Sequence, residues 1–271
     1  MAARTLMAIH AHPDDEVIST GGVLARYAGE GVRTVVVTCT DGSQGFGPGG
    51  SLPGEPGHDR DAVASVRKQE LERSCTALGV GHLEMLGYRD SGMAGWDGNR
   101  DPEAFCNLPV EQGAARVAAL IEQYQPQVVV TYDERGGYGH PDHIQTHRVA
   151  MAAVDSTSGP AKVYFTARSQ AHAERMSEVR RRLQLDQRPG RPRRAAPVGV
   201  PDATITTTVD TGAALDRKRA ALEAHASQLA DTVWVKIGEA EFGDLFGQET
   251  FIRVRDVTGA LLPETDLFAG L

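Results

Sequence analysis

The chain has few cysteines, few aromatic residues, no long apolar run and no excess of basic residues. Its three cysteines, Cys39, Cys75 and Cys106, form no Cys-x-x-Cys pair. An odd number at such spacings argues against both a disulfide framework and a cysteine-based zinc site. Cys39 ends an apolar, β-branched run and reads as a small core residue. No apolar stretch reaches the roughly 18 residues that a membrane-spanning helix needs. Lys and Arg total 28 against 36 Asp and Glu, giving a formal net charge of −8. A nucleic-acid footprint would show as a basic patch or stripe, so no nucleic-acid partner is expected. The N-terminus, MAARTLMAIHAHPDDE, has one Arg, a short apolar run and then charge. A secretory signal needs a longer apolar core and a small-residue cleavage site. A cytoplasmic protein is therefore expected, with the oligomeric state left open and a homo-oligomer allowed.

The 271 residues, 41 % of them apolar, suit a single domain over 1–271. Short β-branched runs alternate with segments of helical spacing. Strands are expected at 6–11, 32–38, 83–86, 126–132, 162–166 and 205–209. Helices are expected at 17–27, 62–78, 113–124, 143–154 and 213–229, followed by a mixed C-terminal region. Strands alternating with helices pair in parallel and carry helices on both faces. The expected fold is α/β, a Rossmann-like sandwich with a mostly parallel sheet.

Two segments break this rhythm. Residues 42–57 contain seven glycines and three prolines and must form a long loop after the second strand. Such a loop either walls the site or runs loosely over the surface. Residues 180–201 contain seven arginines and four prolines and read as an exposed connector.

Two clusters carry the chemistry. His12-Pro13-Asp14-Asp15-Glu16 follows the first strand, and Tyr138-Gly139-His140-Pro141-Asp142-His143 follows the strand at 126–132. Both fall at carboxyl ends of parallel strands, where α/β sheets bind ligands. A catalytic zinc site typically takes three protein ligands from His and carboxylates and leaves one position open. The two loops supply enough donors for such a set with a carboxylate to spare. Hard ligands without cysteine suit zinc, and equally iron(II) or another divalent ion. The alternative is that Asp14 or Asp15 caps the first helix and Asp142 the helix near His143, but two such clusters at equivalent strand ends favour a metal. The first strand lacks a Gly-x-Gly-x-x-Gly turn, which disfavours a dinucleotide site.

Ala11-His12-Pro13-Asp14-Asp15-Glu16 with Gly137-Tyr138-Gly139-His140-Pro141-Asp142-His143 resembles the PIG-L/LmbE-like zinc-dependent N-deacetylase family. Within it, Arg89 to Gly95 is similar to the GlcNAc-inositol deacetylases of the mycothiol pathway. The last eight residues are similar to the mycothiol S-conjugate amidases. The resemblance implies a metal-dependent hydrolase that removes an N-acetyl group from a small GlcNAc-containing glycoconjugate or natural-product intermediate. The alternative is an amidase acting on mycothiol S-conjugates or a related amide. It implies His12, Asp15 and His143 as metal ligands and Asp14 as general base. His140 would stabilise the charged intermediate or protonate the leaving amine, with Asp142 orienting it, and Tyr138 would help polarise the carbonyl. Arg67 and Asp90 would contact the amino-sugar substrate. His147, one helical turn after His143, reads as a packed residue, and His10 as structural. His225 reads equally well as lining the site or as placed elsewhere. Asp41-Gly42-Ser43-Gln44-Gly45 departs from the acidic Gly-Glu-type turn of the family.

Overall fold

The structure, a computed structural model, describes residues 4–185, 199–230 and 232–271. Strand β1 (Thr5–His10) is buried along its whole length, as a central strand covered on both faces must be. Helix α1 (Asp15–Gly29) leads to β2 (Arg33–Thr40), α2 (Arg60–Leu78) and β3 (His82–Tyr88). Then come α3 (Val110–Tyr124), β4 (Val128–Thr131), the single turn α4 (Gly136–Gly139) and α5 (Pro141–Ser156). β5 (Lys162–Ala167) is followed by α6 (Gln170–Arg182), and β6 (Thr207–Asp210) by α7 (Leu215–Ala224). Short helices α8 (Ala226–Leu229), α9 (Val233–Lys236) and α10 (Glu239–Phe246) precede β7 (Gln248–Asp256).

The seven strands form one sheet in the order β3-β2-β1-β4-β5-β7-β6. The first five run parallel, while β7 is antiparallel to both β5 and β6. Successive β1 side chains serve opposite layers, as the two-residue strand period requires. Leu6 and Ala8 pack with Val17 and Leu24 of α1, Leu71 and Leu78 of α2, and Leu222 of α7. Met7 and Ile9 pack with Val117 and Ile121 of α3 and Val149 and Ala153 of α5. The expected sandwich with helices on both faces is therefore present. α2 begins where the Asp59 side chain accepts from the Asp61 and Ala62 N–H groups and ends at Gly79 in the left-handed region, the usual cap residues at each end.

Three expectations need correction. The helix anticipated over 213–229 breaks at His225, between α7 and α8. The mixed C-terminal region holds β7, whose inward positions are Glu249 and Phe251. A charge on the inward side breaks the apolar alternation that marks a strand. Glu249 is accommodated because its carboxylate accepts from Lys218 Nζ at 2.6 Å and from the Gly22 and Val23 N–H groups. The connector expected over 180–201 is structured at its two ends. Arg180–Arg182 close α6, and Val200 exchanges main-chain hydrogen bonds with Arg168 and Gln170; residues 186–198 lie outside the described residues. No helix among the described residues is long and apolar enough to cross a membrane.

Candidate metal centre and active site

From β1 the chain steps outward through β2 and β3, then returns to the other side of β1 as β4. The crevice beyond the carboxyl ends of β1 and β4 is thus the topological switch point of the sheet. Residues 11–15 leave β1 there, and residues 132–143 leave β4 there. A close approach seats the second loop: Gly136 has φ 61°, and a Cβ on it would stand 2.6 Å from the His143 Cβ.

His12, Asp15 and His143 are brought together and buried. His12 Nδ1 lies 3.2 Å from Asp15 Oδ2 and 3.2 Å from His143 Nε2, and His143 Nε2 lies 3.3 Å from Asp15 Oδ2. Three donor atoms thus form a nearly equilateral triangle. Zinc bonds to His nitrogen and carboxylate oxygen at ~2.0–2.2 Å, so the corners of a tetrahedron around it stand about 3.3–3.5 Å apart. The donor set fits such an ion, with the fourth corner left for a small ligand. Among the described residues, His12, His140 and His143 form one group of close donors, and His12, Asp90, His140 and Asp142 another.

The other side of the His12 ring is held by carboxylates. Its Nε2 is 3.3 Å from Asp142 Oδ2 and 3.5 Å from Asp90 Oδ1. A metal-facing imidazole is commonly oriented in this way by an acceptor behind it. Burial disfavours a charged His12 ring, but Asp90, Asp142 and Asp15 outweigh it and hold the pKa well above that of an ordinary histidine. Burial likewise raises Asp15, yet His143 and His12 hold it well below the usual carboxylate range. So much buried negative charge at one place calls for a cation.

Asp14 sits beside this triangle without belonging to it. Its backbone has φ 120°, which a non-glycine residue rarely adopts. Its side chain caps nothing, so the simple helix-capping role does not hold here. Instead Arg67 Nη2 donates to Asp14 Oδ2 at 3.1 Å. Burial pushes the Asp14 carboxyl up to about 6, against the downward pull of Arg67.

His140 closes the site from the start of α5. Its Nδ1 accepts the Asp142 N–H at 3.2 Å, which leaves the neutral ring's proton on Nε2. Burial and the neighbouring His12 and His143 hold its pKa well below the ordinary value. The Asp142 carboxylate does not make this contact; it accepts from His12 and from the Ser91 N–H at 2.9 Å. Asp142 thus meets His140 through its main chain and His12 through its side chain. Tyr138 is 57 % exposed and stands edge-on to His143 and His140 at the mouth of the site.

Arg67 and Asp90 lie behind the loops and are both buried. Arg67 donates to Pro13 O at 2.5 Å and Gly42 O at 2.7 Å. Asp90 accepts from the Gly92 and Gln44 N–H groups. The glycine-rich loop is pinned at its start, because Gln228 accepts from the Phe46 N–H and donates to its carbonyl. His147 Nδ1 meets Tyr132 O, and His10 Nε2 meets Thr20 Oγ1, so both are packed residues. His225 is fully buried against Glu16. Sequence reasoning gave no site role to Tyr132, whose ring stacks on His143 and whose hydroxyl accepts the Ala11 N–H. Its position at the end of β4 was the available signal.

Fold and site together define an α/β protein that presents a His/Asp centre able to hold a metal at the switch point of its sheet. The chain belongs to the PIG-L family, described as GlcNAc-PI de-N-acetylase, whose model matches residues 7–154. It is 43 % identical over 282 residues to the 1D-myo-inositol 2-acetamido-2-deoxy-alpha-D-glucopyranoside deacetylase of Acidothermus cellulolyticus, covering 99 % of this chain and 95 % of that protein. The deacetylase of the same name from Thermobifida fusca is 43 % identical over 85 % of each chain. Among solved structures, the N,N'-diacetylchitobiose deacetylase of Pyrococcus horikoshii aligns with a TM-score of 0.59 at 23 % identity, over 93 % of this chain and 84 % of that one. The 4-carboxy-2-hydroxymuconate hydratase of Pseudomonas putida aligns at 0.63 and 19 % identity, over 95 % and 99 %. That a hydratase shares the fold shows that the fold alone does not decide the chemistry.

Proposed function

We propose that this protein is a zinc-dependent N-deacetylase that hydrolyses the acetamide of a GlcNAc-inositol glycoside, the compound its relatives are named for. The observation that carries this reading is the triangle of His12 Nδ1, Asp15 Oδ2 and His143 Nε2, with spacings of 3.2, 3.2 and 3.3 Å. His12, Asp15 and His143 hold the ion, which when bound supplies Lewis acidity that polarises the acetyl carbonyl and acidifies a water. Asp14, raised toward neutrality by burial, accepts the proton of the attacking water. His140 presents Nε2–H to the developing oxyanion, because its Nδ1 is already engaged by the Asp142 N–H. Tyr138 adds a hydroxyl at the open side. The proton that Asp14 has taken from the water then leaves with the amine. Asp142 and Asp90 fix the His12 ring, and Arg67 fixes Asp14.

The proposed enzyme is one catalytic domain over 1–271 that meets a small amino-sugar substrate. Its three cysteines are free, which suits the reducing cytoplasm. The test is acetate release from a panel of N-acetylglucosaminides, including the inositol glycoside, with and without chelator. Release from the inositol glycoside that chelation stops supports the reading. No release from any member by metal-loaded protein would refute it.

A further inference from the structure

Glu16 and His225 are both fully buried and lie 209 positions apart in the chain. Glu16 Oε1 accepts from His225 Nε2 at 2.7 Å and from Ser74 Oγ at 2.6 Å. Its other oxygen, Oε2, accepts the Asp14 N–H at 2.9 Å. The carboxylate is therefore gripped on one side by α2 and the C-terminal half, and on the other grips the peptide of Asp14. That peptide needs gripping. Asp14 holds φ 120° and ψ −24°, and such a conformation persists only where its surroundings over-determine it. Its carbonyl is fixed by Ile18 N and its carboxylate by Arg67, which leaves the N–H as the anchor that Glu16 supplies.

The residues after His225 repeat the pattern. Ser227 donates through both N–H and Oγ to Glu70 of α2, and Gln228 takes both main-chain groups of Phe46 in the glycine-rich loop. The helix break at His225 turns its ring inward to Glu16, while Ser227 and Gln228 reach other elements.

We infer that Glu16 and His225 are positioning residues that set the orientation of Asp14, so that the region beyond the matched family model aims the base held by the N-terminal loop. This inference rests on the reading of Asp14 as the base. The fully buried His225 side chain meets Glu16 rather than a residue proposed as a metal ligand. Its role is distinguished from simple core packing by whether its effect passes through Asp14.

The experiment is a double-mutant cycle on metal-loaded protein with the GlcNAc-inositol glycoside as probe. His225→Leu removes the donor and should lower kcat ~10–100-fold, the scale of a misaimed catalytic group. KM and metal stoichiometry should stay within about twofold of wild type. His225→Gln, which keeps a donor at similar reach, should recover most of the loss. In an Asp14→Asn background, His225→Leu should change the residual rate less than about twofold, because a group acting through Asp14 has nothing left to aim. An equal loss in both backgrounds, or a loss confined to KM or metal content, would overturn the inference. If His225→Leu does not fold, Ser74→Ala enters the same cycle, since it withdraws one donor from the same Glu16 oxygen without opening a ring-sized cavity. Wild-type kcat in Asp14→Asn alone would instead remove the base assignment, and this inference with it.

Discussion

The ring of Tyr132 lies nearly flat on that of His143, with centroids 4.3 Å apart and planes 22° apart, while its hydroxyl accepts the Ala11 N–H at 3.0 Å. One side chain from the end of β4 therefore braces a proposed metal ligand and the start of the loop that carries the other two. Tyr132→Phe keeps the stack but leaves a buried N–H without an acceptor. It should cost about 1–3 kcal/mol of stability with little change in metal affinity. Tyr132→Ala removes the brace as well and should weaken metal binding ~10–100-fold, the usual scale for groups that orient a ligand. Urea unfolding together with a competitive chelator titration separates the two effects; equal metal affinity in wild type and the Ala variant would show that the stack does not hold His143.

Metal removal should both inactivate and destabilise the protein. With three buried carboxylates at the site, Asp15, Asp90 and Asp142, and the half-buried Asp14 beside them, the apo protein carries charge that only protons and Arg67 offset. Metal at 100 times its Kd should add about 2.7 kcal/mol of apparent stability. Thermal unfolding with and without added zinc, beside activity after chelation and readdition, checks both halves. A chelated sample with full activity and unchanged Tm would contradict the metal reading.

The parallel half of the fold was legible because its strands carry short apolar, β-branched runs such as Val35 to Val37 and Val128 to Val130, and because its helices show helical spacing between them, α2 with clear caps in Asp59 and Gly79. The two His/Asp loops were legible because each follows such a strand. Other features were hidden for identifiable reasons. β7 was missed because Glu249 points inward, and its neutralising partner Lys218 lies 31 positions earlier, on α7. The break at His225 was invisible because the helical spacing of 213–229 runs on through it; the ring is drawn inward by Glu16, a tertiary partner. Arg67 and Asp90 could be marked by resemblance, but not their burial behind the loops, which depends on Pro13 O and Gly42 O coming within reach of one guanidinium.

That placement changes what Arg67 should do. Arg67→Ala would leave Pro13 O and Gly42 O without their donor and Asp14 without its counter-charge. Breaking a buried charge pair from one side costs about 3–5 kcal/mol. A loss of stability and a fall in kcat are expected, in addition to any rise in KM for the amino-sugar substrate. Arg67→Lys should rescue only in part, because one ammonium cannot span both carbonyls as the planar fork does. Steady-state kinetics with a denaturation curve for each variant decides this; a change in KM alone would return Arg67 to a purely substrate-binding role.

The C-terminal tail is fastened by Glu264. Its carboxylate accepts from Lys162, from Arg253 Nη1 at 2.7 Å, from Tyr164 OH at 2.8 Å and from Thr207 Oγ1 at 3.1 Å. Burial would raise its pKa, but hydrogen bonds from Lys162, Tyr164 and Arg253 prevail and hold it below the ordinary 4.5. A folded-state value below the unfolded one means that the stabilisation is complete above about pH 4.5 and is lost as pH falls through the lower folded value. Glu264→Gln should therefore be destabilised by about 3–5 kcal/mol at pH 7, and its gap from wild type should narrow as the buffer is taken below pH 4.5. Urea midpoints measured across that range test the sign; a gap that widens in acid would show that Glu264 is neutral in the folded protein.

Asp14 and Asp15 are adjacent and chemically identical, yet they stand in different surroundings, and the proposed roles of base and ligand rest on that difference. Asp15 Oδ2 faces two imidazole nitrogens at 3.2 and 3.3 Å and is held ionised by them. Asp14 faces Arg67 at 3.1 Å and is lifted to about 6 by burial. A ligand must bind the ion in the resting enzyme, whereas a base need only accept a proton during turnover. Asp14→Asn should accordingly retain metal at the wild-type stoichiometry, since the triangle of donors is intact. It should lose activity by ~10²–10⁴-fold, the usual contribution of a general base, because an amide cannot take the water's proton. Asp15→Asn replaces an anionic donor with a neutral one and should weaken metal binding, and activity should return in part at high zinc. Metal content by elemental analysis, paired with kcat at several zinc concentrations, reads both outcomes. Metal lost from Asp14→Asn and kept by Asp15→Asn would reverse the two roles.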